Sequence, residues 1–195
     1  KYRKLGNSGL EVSVVGLGAN NFGGRLDYER SNEVINQLFD VGINLIDTSN
    51  SYGNTLSEEY IGKSLKGRRE QAVIATKVSS RMSEGPNQAG NSRKHIIEQV
   101  EQSLTRLRTD YIDLYQIHWW DSTTPVEETL RALNDLVTQG KIRYFGCSNF
   151  SAWQVCESVW TSKELGIQTF VSAQPHYSML ERDVEKELLP FCGKY

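Results

Sequence analysis

Apolar residues in this chain fall into two alternating patterns. Short runs place Val, Ile and Leu at nearly every position, at 43 to 47, 72 to 76, 111 to 117, 142 to 147 and 169 to 173, as strands covered on both faces do. Between them, apolar residues return every three or four positions, which predicts helices. Val34, Ile35, Leu38 and Val41 mark one over 28 to 41, and Ile96, Ile97, Val100, Leu104 and Leu107 another over 93 to 107. Leu130, Leu133 and Leu136 mark a third, and Val155, Cys156, Val159 and Trp160 a fourth. A shorter helix at 57 to 65 carries Glu58 and Glu59 in its first turn, where they complement the helix dipole. A last one at 183 to 191 is kinked or ended by Pro190.

The punctuation agrees with this division. Gly42 and Gly140 stand where helices end. Thr124-Pro125-Val126-Glu127 reads as a capping box with proline in the first helical position, and Ser151-Ala152-Trp153-Gln154 as a second box. Residues 2 to 18 read as two short strands around Gly6-Asn7-Ser8-Gly9 leading into a first buried strand. Residues 79 to 91, rich in Ser, Gly, Pro and Asn, form one long loop of the kind that becomes a rim or lid.

Strand and helix thus alternate through six units after an opening hairpin, in a single domain over 1–195. That rhythm belongs to a parallel sheet. Periodicity alone does not separate a closed barrel from an open doubly wound sheet. Gly16-Leu17-Gly18-Ala19-Asn20-Asn21 lacks the third glycine of the dinucleotide-binding turn. The strands end instead on polar or ionisable residues: Asp47, Lys77, His118, Ser148-Asn149 and Gln174. Chemistry delivered from the ends of several different strands is the mark of a (β/α)8 TIM-type barrel, of which six of eight βα units are present.

Composition narrows the function classes. A net charge of −2 argues against nucleic-acid binding, which calls for a clustered basic surplus. Cys147, Cys156 and Cys192 are three in number and irregularly spaced, suiting reduced thiols, and no metal-ligand spacing occurs. With no run of about 18 apolar residues and no signal-peptide core, a cytoplasmic protein without membrane contact is expected.

Each polar strand end, taken alone, has an ordinary explanation as a turn residue, a solvated lysine or a structural histidine. Four suitable types at consecutive strand ends are harder to explain that way. Asp47-Thr48-x-x-x-Tyr52-Gly53, the Lys77 strand, Asp113-Leu114-Tyr115-Gln116-Ile117-His118, Gly146-Cys147-Ser148-Asn149-Phe150 and Gln174-x-x-Tyr177 together resemble the aldo-keto reductases over essentially the whole chain.

The resemblance implies reduction of small-molecule aldehydes or ketones with NADP(H). Tyr52 would be the general acid, its phenol made more acidic by the Lys77 ammonium. Asp47 would pair with Lys77, and His118 would hydrogen-bond the substrate oxygen. Ser148, Asn149 and Gln174 would hold the nicotinamide carboxamide, although Ser148 and Asn149 also suit the approach to a helix. Asn20, Phe22, Trp119 and Trp120 would line the carbonyl pocket, while Trp119-Trp120 also suits a buried aromatic patch under the long loop.

A complete barrel of this type has about 250 residues, and two βα units have no counterpart here. In the family those units supply an aromatic stacked on the nicotinamide, the loop over the pyrophosphate and the basic grip on the 2′-phosphate. A portion of a longer chain, unable as it stands to bind cofactor, is one expectation. Two other functions compete with the reductase: a non-catalytic nucleotide-binding regulatory or scaffold subunit of the same fold, and an enzyme using Lys77 as a Schiff base. The latter leaves Tyr52 and His118 without roles.

Overall fold

A computed structural model describes residues 1–195. Strands β1 (Tyr2–Lys4) and β2 (Glu11–Ser13) form an antiparallel hairpin. Six parallel strands follow in sequential order: β3 (Leu17–Gly18), β4 (Leu45–Asp47), β5 (Val73–Val78), β6 (Ile112–Ile117), β7 (Ile142–Ser148) and β8 (Ala173–Gln174). The intervening helices are α1 (Tyr28–Asp40), α2 (Leu56–Ser64), α3 (Arg93–Leu107), α4 (Val126–Thr138) and α5 (Ala152–Leu165), and α6 (Leu188–Lys194) comes last.

Sequential order in a parallel sheet is the topology of a barrel, and the sheet curls accordingly. Inward side chains of β4, β6 and β8 reach one another at the strands' C-terminal ends: Gln116 Nε2 lies 3.4 Å from Asp47 Oδ1 and 3.3 Å from Gln174 Oε1. At the opposite end the hairpin spans from one side of the sheet to the other. Ser13 donates its backbone N–H to Asn44 Oδ1 and Tyr2 its hydroxyl to the Gly42 carbonyl, while Gly6 lies against the Val171 carbonyl just before β8.

β5 and β6 are buried along their whole length, which explains their unbroken apolar character. The outward faces of the strands meet the helices in a core of 28 buried residues, including Ile35, Ile61, Ile96, Leu133 and Phe145. No helix is long and apolar enough to cross a membrane, and no group of three or more His, Cys, Asp or Glu is placed to hold a metal ion.

Two local expectations fail for identifiable reasons, and a third residue, Glu58, stands in the first turn of its helix as expected. Thr124 does not cap α4, because its hydroxyl is taken by Asp121 Oδ2 at 2.7 Å, and Pro125 occupies the cap position. Pro190 neither kinks nor ends the last helix. It sits in the first turn of α6, where its missing N–H would have had no intrahelical partner. Glu58 does more than face a helix dipole: it is fully buried, accepting from Arg106 Nε at 2.6 Å and Thr76 Oγ1 at 2.5 Å. The Ser151 box forms, with Ser151 N–H donating to Gln154 Oε1 at 2.8 Å.

Candidate active site

Asp47 closes β4, Lys77 lies one residue before the end of β5, and His118 follows β6 directly, so the parallel sheet brings all three to one rim. Tyr52 arrives there by a tight turn. After Asp47 the segment Thr48–Asn50 is buried, Asn50 N–H donating to the Lys77 carbonyl at 3.2 Å and Asn50 Nδ2 to Gln99 Oε1 at 3.0 Å. The chain then passes through three successive left-handed residues, Gly53 (φ 57°), Asn54 (φ 55°) and Thr55 (φ 78°), before α2 begins. Gly53 is packed on the Phe22–Gly23 backbone with no room for a side chain, and Thr55 is a β-branched residue where such residues seldom sit. Local strain of about 1–3 kcal/mol per such residue is offset by the buried bonds around it.

The ion pair is tight. Lys77, 2% exposed, reaches Asp47 Oδ1 at 2.8 Å and Oδ2 at 2.7 Å, and the Thr48 carbonyl at 2.8 Å. These three acceptors use all three ammonium protons. Burial pushes the lysine below its ordinary range, with Asp47 working in the other direction.

Tyr52 stands beside the pair and outside its hydrogen bonding. Lys77 Nζ is 5.1 Å from the phenol ring centre, and the ring meets the His118 imidazole edge-on at 5.9 Å. The phenol is pushed above its ordinary value, by burial first and by the Asp47 carboxylate second. The expected acidification by Lys77 is thus reversed in this state, because the ammonium is neutralised by Asp47 and donates elsewhere. His118 falls to about 4, through burial and then the nearby Lys77 charge, so its imidazole is neutral at physiological pH. Its Nδ1 lies 3.4 Å from the buried Ser49 hydroxyl.

Ser148, Asn149 and Gln174 lie together on the far side of the same rim. Ser148 Oγ donates to the Gln174 carbonyl at 2.9 Å, and Asn149 Nδ2 donates to the His118 carbonyl at 3.1 Å, tying the ends of β6, β7 and β8 together. Asn149 adopts φ 57°, a left-handed conformation that asparagine tolerates. Gln174 Nε2 and Asn149 Oδ1 have no protein partner, leaving one donor group and one acceptor. A primary carboxamide needs that combination, so the donor set fits one.

The four proposed pocket residues separate. Trp119 is half exposed and stacks on the His118 ring at 5.3 Å, 16° from parallel. Trp120 is partly buried, edge-on to Phe150 and Trp153, and Asn20 is exposed at the end of β3. Phe22 is turned into the core at 2% exposure and offers no pocket surface, because the Gly53 turn closes over its backbone.

The long 79 to 91 loop is pinned at its stem. Ser79, at φ 133°, donates to Asn91 Oδ1 at 2.6 Å, and Asn91 Nδ2 donates to the Trp119 carbonyl at 2.9 Å. Asn91 N–H donates to Asp121 Oδ2, whose carboxyl is held down to about 2 chiefly by its bonds to Thr123 and Thr124, against burial.

Gln116 was not singled out from the sequence. The available signal is an amide on the inward face of an otherwise apolar strand.

A family model for the aldo/keto reductase family matches residues 14–195. Aldo-keto reductase YhdN of Bacillus subtilis is 39% identical over 198 residues, covering 98% of this chain and 58% of its own length. A probable voltage-gated potassium channel subunit beta of Oryza sativa is 38% identical over 200 residues, 100% of this chain and 61% of its own. The NADP(+)-dependent aryl-alcohol dehydrogenase of Phanerodontia chrysosporium is 35% identical over 212 residues, 98% of this chain and 55% of its own. The chain thus spans a little over half the length of these relatives.

Proposed function

The chain belongs to the aldo-keto reductase family, and from that premise we propose that it carries the proton-delivery half of an oxidoreductase. The reaction is reduction of a small aldehyde or ketone to its alcohol with NADP(H), Tyr52 acting as general acid. The observation that carries the reading is the convergence of Tyr52, Lys77, Asp47 and His118 on one rim, with the Tyr52 hydroxyl free of any protein hydrogen bond.

A carbonyl under reduction gathers negative charge on oxygen, and the site answers with a proton and a dipole. His118, neutral above about pH 4, can present an N–H to that oxygen without bringing a competing charge. Tyr52 gives its proton to the same oxygen. Burial and the Asp47 carboxylate keep the phenol protonated until then, and Lys77, bonded to Asp47 and 5.1 Å from the ring centre, holds that carboxylate in place beside it. Trp119, stacked on His118, limits the ring to one orientation and offers an aromatic wall.

Gln174 and Asn149 would hold the nicotinamide through its carboxamide, and Ser148 would fix the strand ends that carry them. A bound nicotinamide supplies the reducing electron pair. The phosphate form of the cofactor is supported by the name of the Phanerodontia relative, and a cytoplasmic setting by the three irregularly spaced thiols. The second reading, a nucleotide-binding regulatory subunit, draws on the potassium-channel relative and leaves the free Tyr52 hydroxyl without a use.

The two readings part in one assay. With NADPH and an aromatic aldehyde, the wild type should reduce substrate and Tyr52→Phe should lose about 10²- to 10⁴-fold in kcat. Equal rates for the two proteins would remove the enzyme reading.

A further inference from the structure

Gln116 lies on the inward face of β6 between two groups given separate roles. It is 2% exposed, so its amide has no solvent to fall back on. Ionised Asp47 can only accept, so Gln116 must turn its NH2 group toward that carboxylate. The second N–H then falls to Gln174 Oε1. Both bonds are long, 3.4 Å to Asp47 Oδ1 and 3.3 Å to Gln174 Oε1, as befits one amide held between two acceptors. A gain at one end is a loss at the other. Asp47 Oδ1 is also one of the oxygens that Lys77 holds, and the Asp47 carboxylate is one of the two influences keeping the Tyr52 phenol protonated.

We propose that Gln116 is a positioning residue that couples the Gln174 amide to the Asp47–Lys77 pair, so that engagement of Gln174 by a carboxamide is felt at Tyr52. A carboxamide oxygen that accepts from the free Gln174 Nε2 turns the Gln174 side chain toward itself and draws Oε1 off Gln116, whose amide then closes on Asp47 Oδ1. The carboxylate is then better neutralised, its field at the phenol weakens, and Lys77 is less completely held. The proton donor becomes more acidic when the neighbouring subsite is filled. This coupling gives meaning to the high starting acidity threshold of Tyr52: the free site holds its proton, and the loaded site is readied to release it.

The inference rests on the reading of Tyr52 as proton donor, yet its test needs no turnover. Tyrosine labelled with ¹³C at Cζ would be titrated by NMR in the cofactor-free protein, Tyr52→Phe identifying the resonance. Gln174 is exposed, so Gln174→Ala leaves the packing intact and imitates withdrawal of its oxygen. The acid constant of Tyr52 should rise about threefold in Gln174→Ala. The same change made on Gln116→Met, which keeps the side-chain volume and lacks the amide, should leave it where it was. An unmoved Tyr52 in Gln174→Ala, or an equal response without Gln116, would overturn the coupling. If Gln116→Met fails to fold, the side-chain amide protons of Gln116 in Gln174→Ala report the same redistribution. One should move downfield as its bond to Asp47 shortens, and two unmoved protons would overturn the proposal. Absence of aldehyde reduction with the titration coupling intact would sink the proposed function and leave this linkage standing.

Discussion

Two buried ion pairs flank β5, one on each face, held by consecutive residues. Outside, Thr76 and Arg106 both bond to the fully buried Glu58 carboxylate, joining α2, α3 and β5. Inside, Lys77 bonds to Asp47 at the rim. In the outer pair the acid is fully buried and only the Arg106 side chain, 13% exposed, touches solvent. The inner pair is 20% exposed on its acid side and stands beside a phenol with an unused hydroxyl. Similar chemistry thus does two jobs: a charge sealed in the helix layer fixes where elements sit, and a charge left at an open rim can still respond to its surroundings.

The contrast can be broken most forcefully from outside. Glu58→Ala would strand Arg106 and the Thr76 hydroxyl, and stability should fall by about 3–5 kcal/mol in urea denaturation. A loss below about 1 kcal/mol would mean that the outer pair is not structural. Lys77→Met should cost less, about 1–3 kcal/mol, since Asp47 can turn to solvent. Carbonyl reduction should nevertheless vanish, so comparing the two variants by melting and by activity sharpens the division. A milder probe is the loop latch, where Thr124→Val removes one bond to Asp121 and should lower stability by about 0.5–1.5 kcal/mol with little effect on turnover.

A last expected effect is a pH dependence at the inner face. His118 has a folded-state value of about 4 against 6.5 unfolded, so below 6.5 the unfolded chain binds protons that the folded chain refuses. Stability should therefore decline as pH falls from about 6.5 toward 4, and His118→Gln should flatten that decline. An unchanged slope in the variant would place the titration elsewhere, with His95, also pushed down by burial, as the next residue to replace.

Much of this arrangement is legible in the sequence because parallel strands advertise themselves. Runs such as Val73–Val78 are apolar on both faces, and their ends stand out by contrast, which is how Asp47, Lys77 and His118 come to notice. Residues whose roles arise between elements are another matter. Glu58 looks like an ordinary first-turn acid until α3 supplies Arg106. Gln116 looks like a stray polar residue until β4 and β8 bring acceptors to either side of it. Thr124 satisfies every local rule for a cap and loses to a nearer competitor, Asp121. The acidity of Tyr52 turns on the same ground: a lysine nearby counts only if its charge is not already answered, and Lys77 is answered by Asp47.

The adjacency of Thr76 and Lys77 also bears on how the chain finds its structure. A slip of β5 by one residue would drive an ammonium among the helices and leave Glu58 facing a strand that offers it nothing, while Asp47 would look out on a hydroxyl. Such an error would have two charges to bury without partners. The alternation of one small polar group and one cation thus acts as a proofreading mark that sets the native register apart from its neighbours.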